Sequence, residues 1–326
     1  MTDFAEPPKD DYALIYLEDS DRPLPETLNP HTRYAYFKTI ARGGKSIIQS
    51  CKDMHLGRVV CYKSLRPEFQ DDPAEQRRLL REARVSAMLQ HPNTVPTYEL
   101  GRDNRGHYYF TMKLVHGYTL REVLDYRDRY DLTQLVDVIV QVAQALDYAH
   151  SHRVIHRDIK PENILVGPFG EVLLLDWGLA KVWNADGGND PVAQPQSRST
   201  AGTMRNDGLT GQGALQGTVT YMSPEQIRRD PDIDYRTDIF SLGAVLYEVL
   251  AGRPPVQAET VREASEAILA GPPVAPSAHR PPQPIPPLLE QTAMRALAHP
   301  PADRLPNCGT LIRLLTEDWQ HQALEG

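Results

Sequence analysis

The sequence predicts an α+β fold in two unequal lobes, a small strand-rich one followed by a larger, mainly helical one. Three observations lead there. Residues 34–115 read as β-branched and aromatic runs separated by turn residues and interrupted by one strong helix. From Thr119 onward, long apolar-rich helical stretches dominate. The chain has 326 residues, 40% hydrophobic and 24% charged, which is an ordinary globular composition with enough length for a large core.

Taken in order, residues 1–30 are rich in proline and acidic residues and are expected to form a poorly ordered arm or an extra edge. Strands are expected over 32–37, over SIIQSC at 46–51 and over RVVCYKSL at 58–65. The segment 73–90 places Leu79, Leu80, Ala83, Ala87 and Leu89 near helical spacing, with Pro73 suited to the first turn. HYYFTMKLV at 107–115 reads as a further strand. The stretch 132–152 is an apolar-rich helix, and 237–252 is a second, ended by Gly252 and the proline pair that follows. Short strands around ILVG and EVLLLD lie between them. Residues 183–216 are polar and rich in Gly, Pro, Ser and Thr, the composition of a long functional or mobile loop. The proline-rich stretch 272–287 reads as an interhelical connector, and no internal repeat is present.

Composition narrows the function. A net charge of −8 argues against a nucleic-acid partner, which needs a basic face. Arg77, Arg78, Arg81 and Arg84 recur at helical spacing, and a solvated helix face accounts for them. Cys51, Cys61 and Cys308 are too few and too scattered for a disulfide framework and suggest a reducing compartment. The acidic N-terminus is not a signal peptide, and no apolar run is long enough to span a membrane, so the cytoplasm is the expected location.

The strongest chemical signal is VIHRDIKPENILV at 154–166. It packs Asp158, Lys160 and Asn163 into one short loop between apolar segments. A carboxylate there can orient or deprotonate an attacking hydroxyl, an ammonium can neutralise a moving phosphoryl group, and an amide oxygen can ligate a metal. A charged surface turn would not explain why these groups and the flanking Ile-Leu-Val run occur together.

This segment resembles the catalytic loop of protein kinases, H-R-D-x-x-x-x-N, and the rest of that family's set follows in order over about residues 34–320. The resemblance implies a bilobal protein kinase fold of the eukaryotic (Hanks) type. After an extension over 1–30, a kinase domain would cover 31–320. Its N-lobe, a small antiparallel sheet with one key helix, would take about 31–115, and its mainly helical C-lobe about 116–320. LLLDWGLAK at 173–181 puts Asp176 at the metal-binding position of Asp-Phe-Gly, with Trp177 in place of Phe, a large ring expected to pack beneath the strand-lobe helix. Asp176 and Asn163 together would hold Mg²⁺, or Mn²⁺, on the phosphates of ATP. VVCYK at 59–63 resembles the Val-Ala-Ile-Lys strand and gives Lys63 as the phosphate-pairing lysine. A lone strand lysine is ordinarily a snorkelling edge residue, but the helix that follows places Glu82 where the family keeps its partner.

The glycine-rich loop departs from the family pattern. In IARGGKSII at 40–48, after Ile40, Ala41 stands at the first glycine, Gly43 at the second and Ser46 at the third. Glycine permits positive φ and close backbone approach to phosphate, so both changes matter, while Gly43 and Gly44 keep the tip flexible. The resemblance further implies that Ile48 and Cys61 cover the adenine from above and Leu165 from below. Met112 would be the gatekeeper, and Lys113 to Val115 the hinge.

Downstream, GTVTYMSPEQ at 217–226 resembles the end of an activation segment. Thr218 would bond the catalytic Asp and Lys, Glu225 would pair with Arg304, and Asp238 would hold the catalytic-loop backbone. Lys160, two residues after Asp158, implies a serine/threonine acceptor on protein, and the wording of the motifs resembles the bacterial branch. Arg157 before the catalytic Asp implies control by autophosphorylation within 197–220, at Ser197, Ser199, Thr200, Thr203, Thr210 or Thr220. The same composition also suits a loop that its hydroxyls merely solubilise. Two rivals stand beside this reading. A pseudokinase scaffold would draw on Ala41, Ser46 and Trp177, against the presence of Lys63, Glu82, Asp158, Asn163 and Asp176. A small-molecule phosphotransferase would generally lack the Ser-Pro-Glu-terminated segment.

Overall fold

The computed structural model describes residues 32–183 and 219–319, apart from 280, 282 and 283. The chain divides into two units. One takes residues up to Gly117 with Gly167–Glu171, and the other takes Tyr118–Val166 with the residues from Val172. The expected N-terminal arm, almost all of the polar loop, and with it Ser197, Ser199, Thr200, Thr203, Thr210 and Thr218, lie outside the described residues.

The first unit is a five-stranded antiparallel sheet with one α-helix. Its strands are β1 (Tyr34–Arg42), β2 (Ser46–Asp53), β3 (Arg58–Leu65), β4 (Thr97–Arg102) and β5 (Tyr108–Lys113), in the order β1-β2-β3-β5-β4. Central β3 is covered on both faces because its alternate side chains serve two clusters. Val60 and Tyr62 pack with Cys51 and Tyr109, the two tyrosine rings stacking at 4.5 Å between centroids. Leu65 packs on the other face with Phe110 and with Leu79 and Ala83 of α1 (Pro73–Met88). Lys63 and Leu65 are two residues apart and so share the face that α1 covers.

Helix α1 starts where the sequence expects it to. Asp72 accepts from the amides of Ala74 and Glu75, and Pro73 takes the first turn, where its missing N–H costs nothing. Glu75, Leu79, Glu82, Ala83 and Val85 are buried, so two acids lie along the apolar stripe, Glu75 near its start and Glu82 in its middle.

The second unit is mainly helical. In chain order it holds β6 (Tyr118–Thr119), α2 (Leu120–Asp125), α3 (Leu132–Ser151), β7 (Val154–Ile155), β8 (Ile164–Val166), β9 (Val172–Leu174), β10 (Lys181–Val182), α4 (Pro224–Arg228), α5 (Arg236–Ala251), α6 (Val261–Ala270), α7 (Pro287–Ala296) and α8 (Cys308–Arg313). The short strands form a β6-β8-β9 sheet and a β7-β10 pair. They frame the loop that carries Asp158. Asp131 opens α3 with a capping box to Gln134. No helix among the described residues is long and apolar enough to cross a membrane.

Helix α5 is the centre of this unit, with every residue from Thr237 to Leu250 buried. A helix buried on all sides needs partners on all sides. Gly243 supplies one close approach, since a Cβ built there would lie 2.5 Å from the Cβ of Ala296 on α7. Gly243→Ala should therefore force α5 and α7 apart and destabilise the fold by about 1–3 kcal/mol. A lowered Tm in thermal unfolding is the expected readout, and an unchanged Tm would show that the two helices do not need the glycine.

Candidate active site

The strand unit holds a buried ion pair. Lys63 Nζ lies 2.5 Å from Glu82 Oε1, and each side chain is only 9% exposed. Period-two alternation turns Lys63 to the α1 face, and the helical stripe brings Glu82 to meet it. Register puts Lys63 between Ile48 on β2 and Phe110 on β5. Two charges taken out of water are tolerated only as a pair, so each side chain fixes the other's direction.

The glycine-rich hairpin adopts an ordinary β-turn region. Ala41 pairs with Ile48 and Arg42 with Ile47, and the amide of Gly43 donates to the carbonyl of Ser46 at 2.9 Å. Neither Gly43 nor Gly44 has a positive φ, so this backbone does not itself require glycine at the tip. A Cβ on Gly44 would meet open space. The tip is tied down rather than loose: Arg66 donates to the Gly44 carbonyl at 3.0 Å, and Lys45 pairs with Glu75. Ile40 and Ala41 are exposed, whereas Ser46 and Ile48 are half-buried.

Cys61 and Met112 are register neighbours on β3 and β5, and burial pushes the Cys61 thiol up to about 12, making it an inert apolar wall. Within the expected hinge, the two backbone groups of Lys113 differ in use. The Lys113 amide is spent on the Pro96 carbonyl at 3.0 Å, because β5 is still sheet-bonded there. The residue is left with its carbonyl, not its amide, to offer a ligand. Val115 is half-buried in the same unit, and Leu165 lies half-buried on β8 of the other.

The helical unit holds the loop of Asp158. Asp158 accepts from Lys160 Nζ at 3.0 Å on each oxygen. Asn163 Nδ2 donates to the Asp158 carbonyl at 2.7 Å and to its Oδ2 at 2.9 Å. Both N–H bonds of Asn163 are thereby spent on Asp158, and Oδ1 is the atom left to ligate a cation. A 3-10 turn over Pro161–Asn163 makes this possible by returning Asn163 towards Asp158. Asp176 follows β9 in the left-handed region at φ 62°, with its Oδ1 accepting from the Gly178 amide at 3.2 Å. No cluster of three or more His, Cys, Asp or Glu occurs among the described residues. A pair of oxygen ligands suits a hard cation that takes its other ligands from phosphate and water.

Asp238, wholly buried on α5, accepts from the amides of His156 and Arg157, each at 2.8 Å, and bonds His150 Nε2 at 2.8 Å. Burial pushes its carboxyl up, but the bond from His150 and the backbone amides outweigh this and hold it below the usual carboxylate range. The Asp158 amide donates to His156 Nδ1 at 3.2 Å, which assigns the ring proton to Nε2, 2.9 Å from the Leu175 carbonyl. Trp177 is buried edge-on to His156 at 4.5 Å between centroids. Arg157 does not simply point outwards: its Nε donates to the Leu179 carbonyl at 2.7 Å.

Sequence reasoning missed several residues that tie this region down. His150 is one, and Gln226 is another, its Nε2 donating to the Arg157 carbonyl at 2.8 Å. Glu248 is a third, and a lone acid inside the apolar run of α5 was a signal that a buried partner must exist. Its partner is Arg121, which also reaches Glu162 and Tyr221. Glu225 and Arg304 form the expected pair bidentately, at 2.6 and 2.8 Å. The other donors of Arg304 go to the carbonyls of Arg236, Ala298 and His299, so all its N–H groups are satisfied.

The protein kinase domain family matches residues 34–305 of the chain. Similar proteins include the serine/threonine-protein kinase PknD of Mycobacterium tuberculosis, 33% identical over 304 residues, which cover 92% of this chain and 42% of that protein. The serine/threonine-protein kinase PknD of Chlamydia trachomatis is 31% identical over 297 residues, 87% of this chain and 31% of that protein. PknD of Protochlamydia amoebophila is 35% identical over 244 residues, 71% of this chain and 24% of that protein. The chain thus spans less than half the length of these curated relatives.

The Glu225–Arg304 pair yields a stability prediction. Burial pushes the Glu225 carboxyl up, but the Arg304 guanidinium more than offsets this and holds it below the usual carboxylate range. A depressed folded pKa contributes stability above the unfolded value and loses it as pH falls through the folded one. Arg304→Met should cost about 3–5 kcal/mol near pH 7 by leaving a buried carboxylate unpaired. That deficit should shrink as the medium is acidified below the ordinary carboxylate range, where Glu225 can take up a proton in the variant. Urea unfolding of both proteins at neutral and acidic pH measures this, and a deficit independent of pH would contradict it.

Proposed function

The chain belongs to the protein kinase domain family, in its bacterial Hanks-type branch, and from that premise we propose that it transfers the γ-phosphate of ATP to serine or threonine hydroxyls on protein. The family implies use of ATP and a divalent metal; Mg²⁺ is the ion proposed here. The observation that carries the reading is the loop in which Lys160 and Asn163 both bond Asp158. It combines a base, a cation and a ligating amide oxygen within a few residues.

In this reading the acceptor hydroxyl is oriented by Asp158. Its oxygen forms a bond to the γ-phosphorus while the bond to the β–γ bridging oxygen breaks, and the hydroxyl proton passes to Asp158. Lys160 sets the carboxylate's direction and offsets charge on the transferring group. Lys63, fixed by Glu82, supplies the cation for the nucleotide's phosphates. Asn163 and Asp176 would hold Mg²⁺, which when bound neutralises phosphate charge. Met112, Cys61, Ile48 and Leu165 are proposed to wall the adenine, with Ile40, Ala41, Gly43, Gly44 and Ser46 covering the phosphates. Serine/threonine preference is supported by Lys160 in Asp-Ile-Lys-Pro-Glu-Asn and by the names of the relatives. Autophosphorylation between Ser197 and Thr220 remains part of the proposal, and of the named hydroxyls only Thr220 falls among the described residues.

Labelled ATP with a divalent metal, alone and with a generic basic protein, tests the reading. Asp158→Asn should lower transfer by roughly 10²–10⁴-fold while nucleotide binding stays near native. Label should appear on serine or threonine. Near-native transfer in the variant would overturn the assignment of Asp158. Nucleotide binding without transfer in the native chain would favour a nucleotide-binding scaffold instead.

A further inference from the structure

Helix α2 opens with Thr119 as its cap and places Arg121 in the first turn. The guanidinium of Arg121 is used on three sides. Its Nε donates to Glu162 Oε1 at 3.0 Å, inside the turn that carries Asn163. NH1 donates to Glu248 Oε1 at 2.7 Å, and NH2 to Glu248 Oε2 at 3.1 Å and to the Tyr221 hydroxyl at 2.5 Å. Tyr221 in turn donates to Glu248 Oε2 at 2.5 Å. The side chains range from nearly enclosed (Glu248, 4% exposed) to open (Glu162, 43%), with Arg121 between at 30%.

Each limb of this network leads towards the candidate site. Glu162 lies between Lys160 and Asn163 in sequence. Tyr221 sits two residues before Ser223, the cap of α4, and Gln226 of α4 donates to the carbonyl of Arg157, the neighbour of Asp158. Glu248 lies on α5, the helix whose Asp238 grips the amides of His156 and Arg157. A planar fork of donors can serve a carboxylate bidentately and two further acceptors at once; a lysine's point charge cannot reproduce that geometry.

We propose that Arg121 is a positioning residue for phosphoryl transfer, its guanidinium holding the loop of Asp158 through Glu162 and the segment 219–228 through Tyr221 against the fixed carboxylate of Glu248. It touches neither the acceptor nor the nucleotide in this role. The proposal deepens the kinase reading and rests on it. A plain structural pair would need only charge balance for Glu248, whereas a positioning device needs the fork.

Four variants separate these cases: Arg121→Met, Arg121→Lys, the double variant Arg121→Met with Glu248→Gln, and Glu162→Gln. Tm, transfer rates with ATP and acceptor protein varied separately, and hydrogen exchange over 158–163 and 219–228 are measured on the full chain. Arg121→Met should lower Tm, and the double variant should recover it, since no buried carboxylate is left unpaired. Transfer in the double variant should nonetheless stay roughly tenfold to a hundredfold below native in kcat/KM for the acceptor, with KM for ATP little changed. Exchange over 219–228 should remain fast, and Arg121→Lys should restore neither. Recovery of native transfer and slow exchange in the double variant would reduce Arg121 to a counter-ion and overturn the proposal. If the double variant does not fold, native rates in Glu162→Gln, which alters only the exposed limb, would overturn it equally. If the native chain transfers no phosphate, the kinase reading fails on its own. Exchange then still decides whether Arg121 orders 219–228: faster exchange in the variants supports the coupling and unchanged exchange overturns it.

Discussion

The carboxylate of Asp238 is the constraint on which the rest of the helical unit's site depends. It is wholly buried, yet it accepts from two successive backbone amides and from a histidine. Arg157, one of those amides, sits at φ 68°, a conformation that costs energy for a residue with a side chain. Such a turn persists only where its surroundings specify it from several directions. Asp238 holds the amide of Arg157, Gln226 its carbonyl and Leu179 its Nε, so the residue before Asp158 is fixed at three points. The strained turn lifts Asp158 to where Lys160 and Asn163 reach it. Geometry at the carboxylate is therefore set from α5, far away in sequence.

The same logic recurs wherever charge is buried in this chain. Lys63–Glu82, Glu225–Arg304 and Arg121–Glu248 each place a cation and an anion in low-dielectric surroundings. Replacing such pairs with apolar side chains is often neutral for stability, so their energetic worth as glue is small. Removing one partner is costly, and that asymmetry makes each pair a lock on geometry. Lys63 is locked to α1, Glu225 to the chain before α8, and Arg121 to α5. Arg304 shows what full satisfaction takes: five N–H donors, one carboxylate and three carbonyls, with its guanidinium also 5.0 Å from the Phe240 ring centre.

Much of this was legible in the sequence, for physical reasons that vary by residue. Helices α1, α3 and α5 announced themselves because apolar periodicity and end signals such as Pro73 and Gly252 agree with the packing. Lys63 and Glu82 were legible only together, since a strand lysine is uninformative until a helix offers it an acid. His150 and Gln226 were not legible, because their partners are backbone or side-chain atoms distant in sequence and no local rule encodes that distance. The 3-10 turn over Pro161–Asn163 was equally hidden. Its hydrogen bonds go to Asp158 and Lys160 rather than following a periodic pattern. That the Lys113 amide is used within the strand unit was also hidden, because the sequence cannot show that the end of β5 is still bonded there.

The departure of the glycine-rich loop from its pattern can be weighed by the same reasoning. Ala41 lies one residue before the end of β1 and pairs with Ile48, and Ser46 begins β2 opposite Leu65 of β3. Both are strand positions, and neither has a positive φ, so a Cβ at each is compatible with the backbone. Glycine's conformational freedom is therefore not what these two sites need in this hairpin. What a side chain removes is only space above the strand, and alanine and serine are the smallest that remove it. The turn between them keeps its shape through the Gly43–Ser46 backbone bond, the Arg66 bond to Gly44 and the Lys45–Glu75 pair. A loop ordered in this way gives up flexibility at its tip and gains a fixed backbone. If the hairpin covers a nucleotide's phosphates, as proposed, a fixed backbone of this kind would exchange adaptability for a lower ordering cost.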